Sequence, residues 1–189
     1  MTLLQRPTIL GRSAKKWEDR GFRGIYVTIT DAVPSIKTVF RGATKVTLDA
    51  KGRLAIPTRH RERIQARCDG QLVATVDQDC CLLIYPFPDW EEIERKLMRL
   101  PNMNGKARDL QRLMVGYATE VDLDGHGRIL LSRELREFAH LGRQAMLIGQ
   151  INKFELWDED TWNQKRDAWL VKDEDGDTDL SAELESLCL

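Results

Sequence analysis

The sequence predicts a mainly β fold with flanking helices (α+β), in which two tandem copies of one unit pack as a single pseudo-two-fold domain. Three observations lead there: the chain repeats itself, each copy alternates with strand period, and each copy is too short to close a core alone. Ala43–Pro57 reads ATKVTLDAKGRLAIP and Ala118–Ser132 reads ATEVDLDGHGRILLS, identical at seven of fifteen positions at an offset of 75. After a three-residue slip the likeness continues at an offset of 72, where Gly70 matches Gly142, Tyr85 matches Trp157 and Trp90 matches Trp162. Such self-similarity marks a duplicated unit, here of about 48 residues. A unit of that size buries too little surface to be stable alone, so two copies packed together are the economical solution.

The elements follow in order. Thr44–Leu48 and Thr119–Leu123 alternate polar and apolar residues, the period of a half-buried strand. An Asp-x-x-Gly-Arg turn comes next, with glycine free to take positive φ. Leu54-Ala55-Ile56 and Ile129-Leu130-Leu131 read as second strands. Pro57-Thr58 and Ser132 are helix-start signals, with Thr58 and Ser132 as N-caps. A short charged helix then runs to about Arg67 in one copy and His140 in the other. Leu72–Val76 with Cys81–Tyr85, and Ala145–Gly149 with Lys153–Trp157, form a further strand pair in each copy. Helices carrying a tryptophan begin near Asp89 and Asp158. Between the copies, Glu91–Leu113 reads as helix, a Pro101–Gly105 break and helix, with Leu97, Leu100, Leu110 and Leu113 spaced for one buried face.

The net charge of −1 hides a polarised chain. Arg41–Arg67 holds eight Lys/Arg against two acids, whereas Phe154 to the end holds twelve acids against three bases. Local rather than total charge sets what a polyanion meets at contact distance. The four cysteines Cys68, Cys80, Cys81 and Cys188 form no Cys-x-x-Cys pair, which argues against a disulfide framework or zinc ribbon and for a reducing cytoplasm. Cys80-Cys81 is expected as a buried strand pair. No apolar run is long enough to span a bilayer, and the N-terminus lacks the apolar core of a secretory signal.

Other chemistries fail on spacing. Asp122-x-Asp124-x-His126-Gly127 opens like a calcium loop, but Arg133 stands at the twelfth position where a bidentate glutamate is needed. The run Asp173, Asp175, Asp177, Asp179 lacks both the glycine and the closing glutamate, and reads as a solvated tail. His60, His126 and His140 are too scattered for a metal site. No phosphate loop or nucleophile elbow occurs. Neither a cofactor, a metal nor an enzymatic activity is expected. The tryptophans are expected in the core or at an interface.

The Asp-x-x-x-Arg turns carry two readings. In one, Lys51 and Arg53, with Arg59, Arg61 and Arg63 behind them, contact DNA. Arginine forks onto phosphate or guanine, and lysine adds phosphate attraction. In the other, Asp49 and Arg53 form only an internal ion pair. Asp49 is a poor phosphate ligand in either case. It is expected to fix the turn through backbone N–H groups or through Arg53. The second turn, Asp124-Gly125-His126-Gly127-Arg128, lacks the lysine. Its surroundings balance five arginines against five acids between Arg112 and Arg143, so the first repeat is expected to dominate.

FRGATKVTLDAKGRLAIPTRHRERI followed by LLIYPFPDWEEIE resembles the first half of the MraZ family, and GYATEVDLDGHGRILLSRELREF followed by LIGQINKFELWDEDTW resembles its second half. The resemblance covers about four-fifths of the chain, from Phe40 onward. It implies two AbrB/SpoVT-like swapped-hairpin repeats, a ring-shaped homo-oligomer and a cytoplasmic, nucleoid-associated DNA-binding transcriptional regulator. It further implies repression of the chain's own cell-division and cell-wall gene cluster through short promoter-proximal direct repeats. The DNA-contacting residues would be Lys51, Arg53, Arg59, Arg61 and Arg128, and the turns would be stabilised by Asp49, Gly52, Asp124 and Gly127. The boundaries implied are an N-terminal extension 1–39, repeat one 43–90, a helical linker 91–117, repeat two 118–161 and a C-terminal helix with acidic tail 162–189. The family usually opens Met-Phe-Arg-Gly, and here Val39 precedes Phe40-Arg41-Gly42. Valine is what a GTG start codon spells when read internally, so residues 1–38 are expected to come from an upstream start. The alternative is a basic arm, since residues 1–23 hold six Lys/Arg against two acids. Other outcomes left open are an AbrB-like antitoxin and a ring-forming scaffold without DNA binding.

Overall fold

A computed structural model describes residues 39–99 and 105–172. Residues 1–38 of the N-terminal extension, Leu100, residues 101–104 of the expected Pro101–Gly105 break, the aspartates from Asp173 onward and Cys188 lie outside the described residues. Both copies run strand, strand, helix, strand, strand, helix. In copy one these are β1 (Phe40–Thr47), β2 (Arg53–Ala55), α1 (Thr58–Cys68), β3 (Gln71–Val76), β4 (Leu82–Pro86) and α2 (Phe87–Met98). After α3 (Gly105–Gly116) come β5 (Thr119–Asp122), β6 (Arg128–Leu130), α4 (Arg133–Phe138), β7 (Gln144–Ile151), β8 (Lys153–Asp158) and α5 (Glu159–Lys172).

The copies are interleaved. An antiparallel six-stranded sheet has the order β1-β7-β8-β4-β3-β5. The first strand of each copy therefore pairs with the third strand of the other: β1 with β7 from Phe40↔Ile151 to Thr47↔Gln144, and β5 with β3 from Gln71↔Asp122 to Ala74↔Thr119. The second strands pair with each other as a separate two-stranded ribbon, in the register Arg53↔Leu130, Leu54↔Ile129, Ala55↔Arg128. Strand alternation then sorts the side chains. Leu72, Ala74 and Val76 join Leu54, Ile56, Ile64, Ile129, Leu131 and Leu135 in a core between the sheet, the ribbon and helices α1 and α4. Val73, Leu83, Tyr85, Ile148 and Trp157 form a second core, with Trp90 of α2 buried in it and Met114 of α3 and Trp162 of α5 packed against it. Leu54 and Ile129 are fully buried on the inner face of the ribbon, each contributing about 2 kcal/mol of apolar transfer.

The structure departs from two expectations. Thr58 is the first helical residue of α1 and not its cap. Pro57 holds the cap position in extended conformation, with no side-chain bond, and its carbonyl accepts from His60 N at 2.9 Å. The offset of 75 equates Ser132 with Pro57, not with Thr58. Ser132 does cap α4, its Oγ accepting from Leu135 N at 3.3 Å. Cys80 is exposed, not buried beside Cys81. It sits at φ 61° in the β3–β4 turn, where Asp79 N donates to Asp77 Oδ1, and only Cys81 enters the core. The tryptophan helices α2 and α5 begin at Phe87 and Glu159, within two residues of the expected starts, and carry Trp90 and Trp162. Leu97 is buried, Leu113 packs against the first core and Trp169 is exposed.

Candidate nucleic-acid interface

Each Asp-x-x-x-Arg turn is a closed hydrogen-bonded unit, and the two are built alike. Asp49 N donates to Arg53 O at 3.0 Å and Gly52 N to Asp49 O at 2.9 Å; Asp124 N donates to Arg128 O and Gly127 N to Asp124 O, both at 2.8 Å. The aspartate side chain fills the inside of the turn. Asp49 Oδ1 accepts from Lys51 N and Arg53 N, each at 2.9 Å, and Oδ2 accepts from Arg53 Nε at 2.7 Å. Asp124 Oδ1 accepts from His126 N and Arg128 N at 2.9 Å. Its Oδ2 takes Arg128 Nε at 2.9 Å and Nη2 at 2.8 Å. These donors hold both carboxyls at a pKa of about 2, chiefly through the backbone bond from Arg53 at Asp49 and through the side-chain bond from Arg128 at Asp124.

The consequence for the arginines differs between copies. Arg53 gives Asp49 its Nε–H alone, and neither Nη group makes a hydrogen bond among the described residues. Arg128 gives Asp124 one N–H from Nε and one from Nη2 and keeps three. The two side chains share the solvent face of the ribbon, Arg53 opposite Leu130 and Arg128 opposite Ala55. Lys51 is exposed at the tip of the first turn and pairs with nothing among the described residues.

Interleaving places the remaining basic residues where sequence order does not. Arg61 leaves its own turn and packs on that of the other copy: a Cβ at Gly127 would overlap its guanidinium, and its Nε donates to Ile56 O at 2.7 Å. Its counterpart Arg136 of α4 packs on the first turn, where a Cβ at Gly52 would lie 2.7 Å from Arg136 Nε. The backbone repeats the exchange, with Leu131 N donating to Gly52 O at 3.0 Å and Ile56 N to Gly127 O at 2.9 Å. Gly52 and Gly127 are thus required twice, by φ of 80° and 74° and by the arginine above each. Arg59 is exposed, with Nε donating to His60 Nε2 at 3.1 Å and Nη2 donating to Thr44 Oγ1. Arg63 donates to Val39 O at 2.8 Å. Lys51 and Arg59 are exposed, whereas Arg53 and Arg61 are both half-buried, Arg53 against Asp49 and Arg61 against the second turn. Sequence reasoning passed over Arg136 and Arg143, which line a cleft beside the first turn with Thr47, Leu48, Asp49 and Ala50. The offset that pairs Arg61 with Arg136 was the available signal.

Among the described residues no group of three or more His, Cys, Asp or Glu is placed to hold a metal ion. No described helix is long and apolar enough to cross a membrane.

The family model described as "MraZ protein, putative antitoxin-like" matches residues 39–113 and again 114–170, so the duplication and nearly the whole described region fall inside it. The chain belongs to the MraZ family. Among its relatives, the transcriptional regulator MraZ of Thioalkalivibrio sulfidiphilus is 56% identical over 151 residues, which is 80% of this chain and all of the relative. The transcriptional regulator MraZ of Halorhodospira halophila is 53% identical over 152 residues, again all of the relative. That of Pseudomonas aeruginosa is 53% identical over 134 residues, 70% of this chain and 89% of the relative. The MraZ match begins at Val39.

Proposed function

We propose that the chain is a sequence-specific DNA-binding transcriptional regulator that represses its own cell-division and cell-wall gene cluster by binding short promoter-proximal direct repeats. The observation that carries this is Arg53, whose guanidinium is oriented by Asp49 yet keeps two parallel donors for guanine O6 and N7. Lys51 and Arg59 supply phosphate attraction beside it. Arg128, which gives Asp124 two of its five N–H donors where Arg53 gives one, is the weaker contact. The reciprocal pairing of β1 with β7 and of β5 with β3 supports reading the two repeats as swapped hairpins. One strong reading head per subunit gives modest affinity, and a homo-oligomeric ring would gain by effective concentration on tandem sites.

The test is binding to a duplex from upstream of the chain's own gene, at several salt concentrations. Wild type is expected to bind with a log–log salt slope of about −0.9 per neutralised phosphate. Arg53→Ala is expected to lose on the order of 10- to 100-fold in affinity and to relax preference for the site, and Arg128→Ala to lose less. A folded wild type that ignores this duplex contradicts the proposal and favours the scaffold reading.

A further inference from the structure

The cleft beside the first turn joins residues from both copies. Its floor is Thr47, Leu48, Asp49 and Ala50 of repeat one, and its wall is Arg136, Leu141, Gly142 and Arg143 of repeat two. Arg143 is anchored at this spot by its own backbone, since Leu48 N donates to Arg143 O at 2.9 Å one residue before the turn begins. Its side chain is exposed and makes no ion pair among the described residues. Arg136 has a buried Nε without a hydrogen-bond partner. The single acid in the cleft, Asp49, is spent on Lys51 N, Arg53 N and Arg53 Nε. Two arginines with uncommitted donors, the exposed Arg143 and the buried Nε of Arg136, thus flank a consumed carboxylate. The counterpart cleft at the second turn cannot match it, because the equivalent bond there runs from Leu123 N to Gly70 O at 2.9 Å and puts a glycine where repeat two has Arg143.

We propose that this cleft seats a phosphate of the DNA backbone next to the base read by Arg53, with Arg143 as the contacting residue and Arg136 behind it. The proposal rests on the DNA-binding reading above. It makes the first reading head a composite: repeat one supplies the base contact and repeat two the adjoining phosphate contact. A phosphate contact positions the protein without reading sequence, so its loss weakens all duplexes alike.

Arg143→Ala is the suitable variant, since it removes only an exposed side chain and keeps the backbone carbonyl that holds Leu48. Arg136 is avoided because it packs against Gly52. The measurement is fluorescence anisotropy with the upstream duplex and with a scrambled duplex across a salt series, with Arg166→Ala of α5 as the comparison. Arg143→Ala is expected to weaken binding on the order of five-fold on both duplexes and to reduce the salt slope by about 1, with Tm unchanged. Arg166→Ala is expected to leave affinity and slope as in wild type. Inorganic phosphate at constant ionic strength is expected to compete no better than chloride; selective displacement by phosphate would overturn the backbone seat in favour of a free-anion site. Wild-type binding that Arg143→Ala leaves unchanged in affinity and slope overturns this proposal while the DNA reading stands. Failure of wild type to bind at all, with Arg53→Ala equally silent, overturns both.

Discussion

Asp49 accepts three hydrogen bonds and Asp124 four, and a carboxylate so committed is worth more to its turn charged than neutral. Both have a folded pKa near 2 against an ordinary 3.8, so their contribution to stability is full above 3.8 and is lost as pH falls toward 2. His60 titrates in a separate, higher window. It is 2% exposed, packed edge-on to Phe40 and Phe154, with Nδ1 unpartnered and Nε2 accepting from Arg59. Burial first, then the charges of Arg59 and Arg63, lower its pKa from 6.5 to about 4. The neutral ring is the folded form. Stability is therefore full above 6.5 and declines as pH falls toward 4, by roughly 3 kcal/mol across the whole window. Repeat two places Leu135, equally buried, at the same position. His60→Leu is expected to change stability at pH 7 by less than about 1.5 kcal/mol, since volume is nearly kept and an orphaned donor is removed. It is also expected to flatten the acid decline between pH 6.5 and 4. Urea unfolding at pH 7 and pH 4.5 reads both effects, and an undiminished acid decline in the variant would show that His60 is not its source.

At the scale of elements, the turns were legible in the sequence because their requirements are local. Aspartate to cap backbone amides, glycine for positive φ and arginine to close the ring all fall within five residues. The strands were legible for the same reason, through alternation. What sequence order could not show is which helix leans on which turn. Equivalence at an offset of 75 says that Arg61 and Arg136 play the same part, but not that each plays it on the other copy's turn. The buried ring of His60 was equally hidden, because a polar residue in a helix of mean basic character reads as surface. Glycine substitution tests the local part. Gly127→Ala combines φ of 74° with overlap on Arg61 and is expected to cost about 2–4 kcal/mol. Gly125→Ala, two residues away, meets nothing within 4 Å and is expected to stay within about 0.5 kcal/mol of wild type. Equal losses of Tm for the two would show that neither the positive φ of Gly127 nor the seat of Arg61 sets the cost.

At the scale of the molecule, neither copy owns its core. β1 buries Phe40 and Val46 beside β7 and against Phe154 of the other copy, and β5 buries Val121 beside β3. Separating the copies would expose these faces and strip β7 and β3 each of one of two neighbouring strands, a cost no single unit of this size can absorb. The strand pairings that cross between copies are made by β1 with β7 and by β5 with β3, so they hold the copies together independently of chain continuity. Placing a protease site between Met98 and Gly105 tests this. The cut chain is expected to remain one species, with both halves co-purifying and unfolding in a single transition. The transition should become concentration-dependent after cleavage, since unfolding now also releases two chains. Repeat one expressed alone is expected to fold only by pairing with itself, its β1 taking the β3 edge of a second copy in place of β7. Halves that separate into two independently stable monomers would contradict the interleaved core, and with it the composite reading head that depends on Arg143 standing beside the turn of the other repeat.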